Sequence, residues 1–208
     1  MDSLSHYPLL PQHKQVFLFG LDDVIYPRKD YDLQVYYLFA QLLEYTEGRP
    51  IADPLLEFCK EQYQSQRKFD IFDQIKTQFD LPEKYRNAFH HTYLQGRLPL
   101  KLLLFKDVLE LLQAMTRAEK KIGLLVRGKV ALQWNKIKQT EWNGLDQCIK
   151  IYFYDELMEK FPGNALSFVE EALNAPRNAM MYLGHQEEAW ATSAGLDYQD
   201  IQLYINPK

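Results

Sequence analysis

A chain of 208 residues that is 47% hydrophobic and 25% charged, with 14 Tyr and 12 Phe, is built to fold around a core and not to stay disordered. A formal net charge of −4 with no Lys/Arg run excludes the basic field that nucleic-acid binding needs. No apolar run approaches the roughly 20 residues that cross a bilayer, Met1–Lys14 lacks the build of a signal sequence, and Cys59 and Cys148 read as separate free thiols, so a soluble cytoplasmic protein without membrane contact is expected.

Val16-Phe17-Leu18-Phe19 is an apolar run bounded by Gly20 and the pair Asp22-Asp23, the pattern of a strand buried on both faces. Taken alone, Asp22-Asp23 also suits a plain loop opening. Residues 28–96 then read as an all-helical block. Leu33, Tyr36, Tyr37, Ala40 and Leu43 recur at spacings of three and four, as do Leu56, Cys59 and Tyr63, and then Ile71, Ile75 and Phe79. Pro54 and Pro82 fit first helical turns. Adjacent His90 and His91 point in different directions on a helix and make no metal pair.

Beyond Gly96-Arg97-Leu98-Pro99, helices and strands alternate. Val108, Leu111, Leu112 and Met115 mark a helix, Ile122–Val126 a strand, residues 130–141 a helix and Ile149–Tyr154 a strand. Ala165, Phe168, Val169, Ala172 and Leu173 mark the next helix, Ala179–Leu183 a strand ending before Gly184, and a short helix runs to Gly195. Ile201–Ile205 is expected as the last strand. Such alternation implies right-handed βαβ units and an α/β fold, a Rossmann-like parallel sheet that binds its ligands at the carboxyl ends of the strands.

The run ending Gly20-Leu21-Asp22-Asp23-Val24 resembles the first motif of the haloacid dehalogenase-like (HAD-like) phosphohydrolases, in which a strand ends in Asp-x-Asp-x-Thr/Val. The likeness extends to Gln95-Gly96-Arg97-Leu98-Pro99 and Asn143-Gly144-Leu145-Asp146, which are similar to stretches of the pyrimidine 5′-nucleotidase-like branch. It implies a core of residues 1–27 and 97–208, with 28–96 as a helical cap inserted after the first strand. In that family the first Asp attacks phosphorus and the second exchanges a proton with the leaving oxygen. Here Gly20 stands at the nucleophile's place and Asp22 at the second.

The resemblance carries over unevenly to the other motifs. Val126 replaces the hydroxyl residue that would hold a phosphate oxygen, and Arg127 follows it as a candidate anion ligand. Lys160 matches the motif lysine that would neutralise phosphate and nucleophile. His185 stands after Gly184 where the main metal acid belongs, leaving Glu187 and Glu188 as weak candidate metal ligands. The family uses magnesium, a hard cation that wants oxygen ligands, so none is expected to bind here.

Asp22 and Lys160 are therefore vestigial catalytic candidates, and Arg127 and Lys160 candidate phosphate or ligand contacts. Two function classes stay open. One is a pseudoenzyme that binds a small anion or a protein partner. The other is a phosphohydrolase using Asp22 and Lys160 with Glu187 or Glu188.

Overall fold

In the computed structural model, residues 9–64, 71–185 and 189–205 are described. In chain order they form β1 (Val16–Phe19), α1 (Arg28–Glu47), α2 (Ala52–Gln64), α3 (Ile71–Gln78), α4 (Tyr85–Gln95), β2 (Leu102–Leu103) and α5 (Lys106–Arg117). There follow β3 (Lys121–Val126), α6 (Val130–Gln139), β4 (Thr140–Glu141), β5 (Ile149–Phe153), α7 (Tyr154–Lys160), α8 (Ala165–Leu173), β6 (Met180–Gly184), α9 (Ala189–Ser193) and β7 (Asp197–Asp200).

The chain divides into two compact units. The first comprises residues 1–27, 103–133 and 140–208. Its five-stranded sheet has the order β5-β3-β1-β6-β7, with every neighbouring pair parallel. β1 lies at the centre, and all four of its residues are buried, which is why its sequence is a continuous apolar run and not an alternation. The register sets Phe19 opposite both Leu124 and Leu183, so β6 runs one residue and β3 two residues beyond the end of β1. Gly123 allows this central packing. A Cβ there would lie 2.9 Å from the Leu18 Cδ2 and 3.4 Å from the Lys150 carbonyl oxygen. Leu18, Leu125, Leu157, Val169, Met180 and Tyr182 belong to the core on one side of the sheet.

The second unit comprises residues 28–102 and 134–139, and its described elements are chiefly helical. Tyr36, Phe39, Leu43, Cys59, Phe72 and Phe89 form its core, with the Phe39 and Phe89 rings edge to face at 5.0 Å between centroids. Tyr37 is exposed while Val35 and Phe39 are buried, so the inward stripe of α1 is rotated from the sequence expectation. Buried Asp32 accepts from the Tyr93 hydroxyl at 2.7 Å and from the Arg28 Nε at 3.3 Å. Burial first, and then the Asp32 charge, pushes the Tyr93 phenol above its usual range.

The expected last strand fails, the helix expected over 130–141 ends at Gln139 with residues 140–141 forming β4, and one helix has no counterpart in the sequence reading. The last strand is Asp197–Asp200, and Ile201–Leu203 is a 3₁₀ turn capped by the Asp200 carboxylate, which accepts from the Gln202 N–H at 2.9 Å. The edge position explains this: β7 pairs only with β6 and needs no apolar run, whereas Ile201 is buried from a turn. The helix α7 was not foreseen, because Leu157 is its one fully buried residue and gives no stripe.

Candidate functional site

A pocket of about 460 Å³ opens at the carboxyl ends of the strands, wholly within the first unit, and lies in the size range of small-molecule sites. Three segments build it. After β1 the chain continues as Gly20-Leu21-Asp22, with the Gly20 N–H donating to the Leu183 carbonyl at 2.9 Å. A tight turn follows, with Asp23 at φ 56°, the Asp23 N–H on the Tyr26 carbonyl at 3.0 Å and the Ile25 N–H on the Leu21 carbonyl at 2.9 Å. That turn brings the Tyr26 hydroxyl to within 3.0 Å of the Asp22 Oδ1, to which it donates.

The second segment follows β3. Val126 is buried and lines the pocket with a hydrocarbon surface. Gly128 has φ +99°, a left-handed conformation that glycine adopts at little cost. The Gln133 side chain, one turn into α6, reaches back and donates from Nε2 to the Arg127 carbonyl at 2.8 Å.

The third segment starts α7 directly after β5. Asp155, in its first turn, takes the Arg127 Nε–H on Oδ1 at 3.0 Å and the Gly128 N–H on Oδ2 at 2.7 Å. Trp190 completes the wall, 4.5 Å from the Tyr154 ring and 5.0 Å from the Tyr182 ring, with the Arg127 guanidinium 5.6 Å from its centroid.

Of the candidate residues, Asp22, Val126 and Arg127 meet at this pocket, together with Gly20. Lys160 is not among the lining residues. It sits in the last turn of α7, its side chain 61% exposed, and pairs with Glu156 at 2.8 Å. His185 is half-buried just after β6, with its Nδ1 3.2 Å from the Gln202 Nε2, and is likewise not among the lining residues. Glu187 and Glu188 lie outside the described residues. Asp155, Gln133, Tyr182 and Trp190 are the lining residues that sequence reasoning missed. The acidic start of α7, Asp155-Glu156, was the one available signal for that helix.

The resulting electrostatics differ from those of an anion cradle. Among the described lining residues, Asp22 and Asp155 place two carboxylates against the single Arg127 guanidinium, and the strand-end donors Arg127 Nε and Gly128 N already serve Asp155. Among the described residues, the donor set for magnesium at this edge is also poor. Gly20 supplies no carboxylate, His185 offers nitrogen, and no group of three or more acidic, His or Cys residues converges among the described residues.

No protein-family model matches the sequence, and neither does any curated protein at a significant level. Solved structures do match the fold. An L-2-haloacid dehalogenase aligns with a TM-score of 0.53 at 17% identity, over 89% of this chain and 82% of its own. A haloacid dehalogenase-like family hydrolase from Xanthomonas campestris gives 0.52 at 14% identity, over 89% and 80%. A HAD-hydrolase from Bacillus subtilis, bound to magnesium, gives 0.50 at 16% identity, over 89% and 87%. The fold is that of the HAD-like hydrolases. At such identities the likeness is one of fold, and the chemistry has to be argued from the side chains.

Proposed function

We infer that this protein is a non-hydrolytic HAD-like module that uses its strand-end pocket to bind a small molecule, the magnesium-dependent phosphatase reaction having been lost. The pyrimidine 5′-nucleotidase-like branch is the proposed origin, with residues 28–96 as its cap. One observation carries the proposal: at the carboxyl end of β1 the attacking position is Gly20, while the donors after β3 are held by an internal carboxylate, Asp155. Phosphoryl transfer depends on positioned charge and a metal for most of its acceleration. A pocket lacking the nucleophile and with its loop donors already engaged supplies neither attack nor charge neutralisation.

The test is hydrolysis of para-nitrophenyl phosphate and of pyrimidine nucleotides by the purified chain, with magnesium, against a vector-matched blank. No turnover above the blank is expected. Turnover that disappears in Asp22→Asn would overturn the proposal, since Asp22 would then act in a hydrolase of altered design.

A further inference from the structure

The charge of this chain is unevenly laid out. Residues 84–106 and 127–140 hold nine of its 24 Lys and Arg and none of its 28 Asp and Glu, so the net charge of −4 conceals basic stretches set against an acidic remainder. Within the helical unit the two segments meet. The Gly96 carbonyl accepts from the Asn135 Nδ2 and the Gln139 Nε2, each at 3.1 Å, and the Leu98 N–H donates to the Gln139 Oε1 at 2.5 Å. On the other side the Leu100 N–H donates to the Gln34 Oε1 of α1 at 2.8 Å, and the Leu38 Cδ1 lies 3.3 Å from where a Cβ on Gly96 would stand. Residues 96–101 therefore run between α1 and the last turns of α6. What this strip shows to solvent is both apolar and cationic. Leu100 is 71% exposed, Trp134 40%, and Tyr37, one helical turn from Gln34, 41%. Arg97, Lys101 and Lys138 are exposed as well, and among the described residues no carboxylate pairs with any of them. Lys138 lies instead over the Trp134 ring at 5.3 Å. The acidic residues next along the chain, Asp30 one turn before Gln34 and Glu141 past the end of α6, stand at its margins.

We propose that this strip docks a partner protein through an acidic segment rich in aliphatic side chains, whatever the strand-end pocket binds. Exposed apolar surface rimmed by charge of one sign is the build of an interaction site. Carboxylates of the partner meet Arg97, Lys101 and Lys138, and its aliphatic side chains cover Leu100, Tyr37 and Trp134. Two other polyanions suit the strip less. Nucleic acid draws its affinity from many phosphates neutralised along an extended basic field, whereas the rest of this chain is acidic. An anionic membrane is held by clusters of about 4–8 basic residues, and the exposed cations of the strip are Arg97, Lys101 and Lys138 alone among the described residues.

The experiment is fluorescence anisotropy of a labelled peptide of repeating Glu-Glu-Leu-Leu titrated with the purified chain, beside the same peptide with Gln in place of Glu. The proteins are the wild type, Arg97→Glu, Lys101→Glu, Lys138→Glu, Leu100→Ser and, as a control away from the strip, Arg117→Glu. Saturable binding of the acidic peptide by the wild type is expected, falling with added salt and absent with the Gln peptide. Each charge reversal in the strip should weaken it by about tenfold, the scale of one charge-assisted contact. Leu100→Ser should weaken it too, and Arg117→Glu should leave it unchanged. The substituted side chains are all exposed, and an unchanged far-UV circular dichroism spectrum for each variant separates lost binding from lost folding. A wild type that ignores the acidic peptide, or equal binding by the three reversals, would overturn the proposal. So would tighter, reversal-sensitive binding of oligouridylate or of phosphatidylserine vesicles in parallel titrations, since the strip would then serve a nucleic acid or a membrane. Phosphatase activity at the strand-end pocket bears on none of these outcomes, so the docking strip and the non-hydrolytic reading fail separately.

Discussion

Asp155 closes the strand-end loop onto itself, one carboxylate oxygen accepting the Gly128 N–H at 2.7 Å while the other takes the Arg127 Nε–H at 3.0 Å. The same N–H, in a loop open to a ligand, would be a donor for anions. The pair is partly exposed, with 51% of the Arg127 and 38% of the Asp155 side chain accessible, so water stands ready to replace either partner. Its value lies in occupying the loop more than in stabilising the fold.

Asp155→Ala should accordingly cost only about 1 kcal/mol, the sum of a weak exposed ion pair and one solvated N–H contact. Urea unfolding followed by far-UV circular dichroism measures it. A loss of several kcal/mol would mean that the carboxylate holds β5 and β3 together and is structural first.

Gly128→Ala should be worse. A Cβ at φ +99° is strained, and it would stand 3.2 Å from the Gln133 Nε2, pressing on the side chain that ties α6 to the loop. A destabilisation of about 1–3 kcal/mol is expected, with a drop in the urea midpoint at unchanged slope. An unchanged midpoint would show that the loop relaxes without using this conformation.

Legible in the sequence were the helices with an apolar stripe, the edge strand β5, whose Ile-Lys-Ile-Tyr-Phe is rich in β-branched and aromatic residues, and the strands with two buried faces. β1, β3 and β6 are central strands whose burial forces apolar runs, and each was found within a residue or two. β7 was misplaced because an edge strand reading Asp-Tyr-Gln-Asp carries no such demand. The site was half legible. Asp22, Val126 and Arg127 are fixed by their places at strand ends, whereas Asp155 rides on a seven-residue helix that leaves no apolar stripe. Gln133 gives no signal at all in sequence: the bond from its amide to the Arg127 carbonyl arises only from the packing of α6.

The two thiols should differ sharply. Cys148 is exposed, whereas Cys59 is buried in the helical unit and burial pushes its pKa from 9.0 up to about 12. The native chain should release one fast equivalent with a disulfide reagent near neutral pH and the second only on unfolding. Because the unfolded thiol ionises first, between pH 9 and 12 the unfolded state binds fewer protons, and this group's contribution to stability falls as pH rises through that window. Cys59→Ala should flatten that part of the stability profile. Two equally fast thiols in the native protein would contradict the burial of Cys59.

The hardest test of the non-hydrolytic proposal is an attempt to build the family's chemistry into the pocket. Gly20→Asp returns a carboxylate to the attacking position, Val126→Thr a hydroxyl to the loop, and His185→Asp an acid after β6. Removing a nucleophile alone can cost about six orders of magnitude, and such groups act as a unit, so no single reversal should lift hydrolysis above the blank. The triple variant should fail too. Asp155 would still hold the Arg127 and Gly128 donors, and the new Asp at position 20 would join Asp22 and Asp155 as a third negative charge around an incoming phosphate. Adding Asp155→Asn frees the loop and removes one of those charges, so any recovered, magnesium-dependent turnover should appear first in the quadruple variant. A para-nitrophenyl phosphate assay across the series decides the order. Activity in the triple variant equal to that of the quadruple would show that Asp155 is no obstacle, and that the loop admits phosphate despite its internal carboxylate.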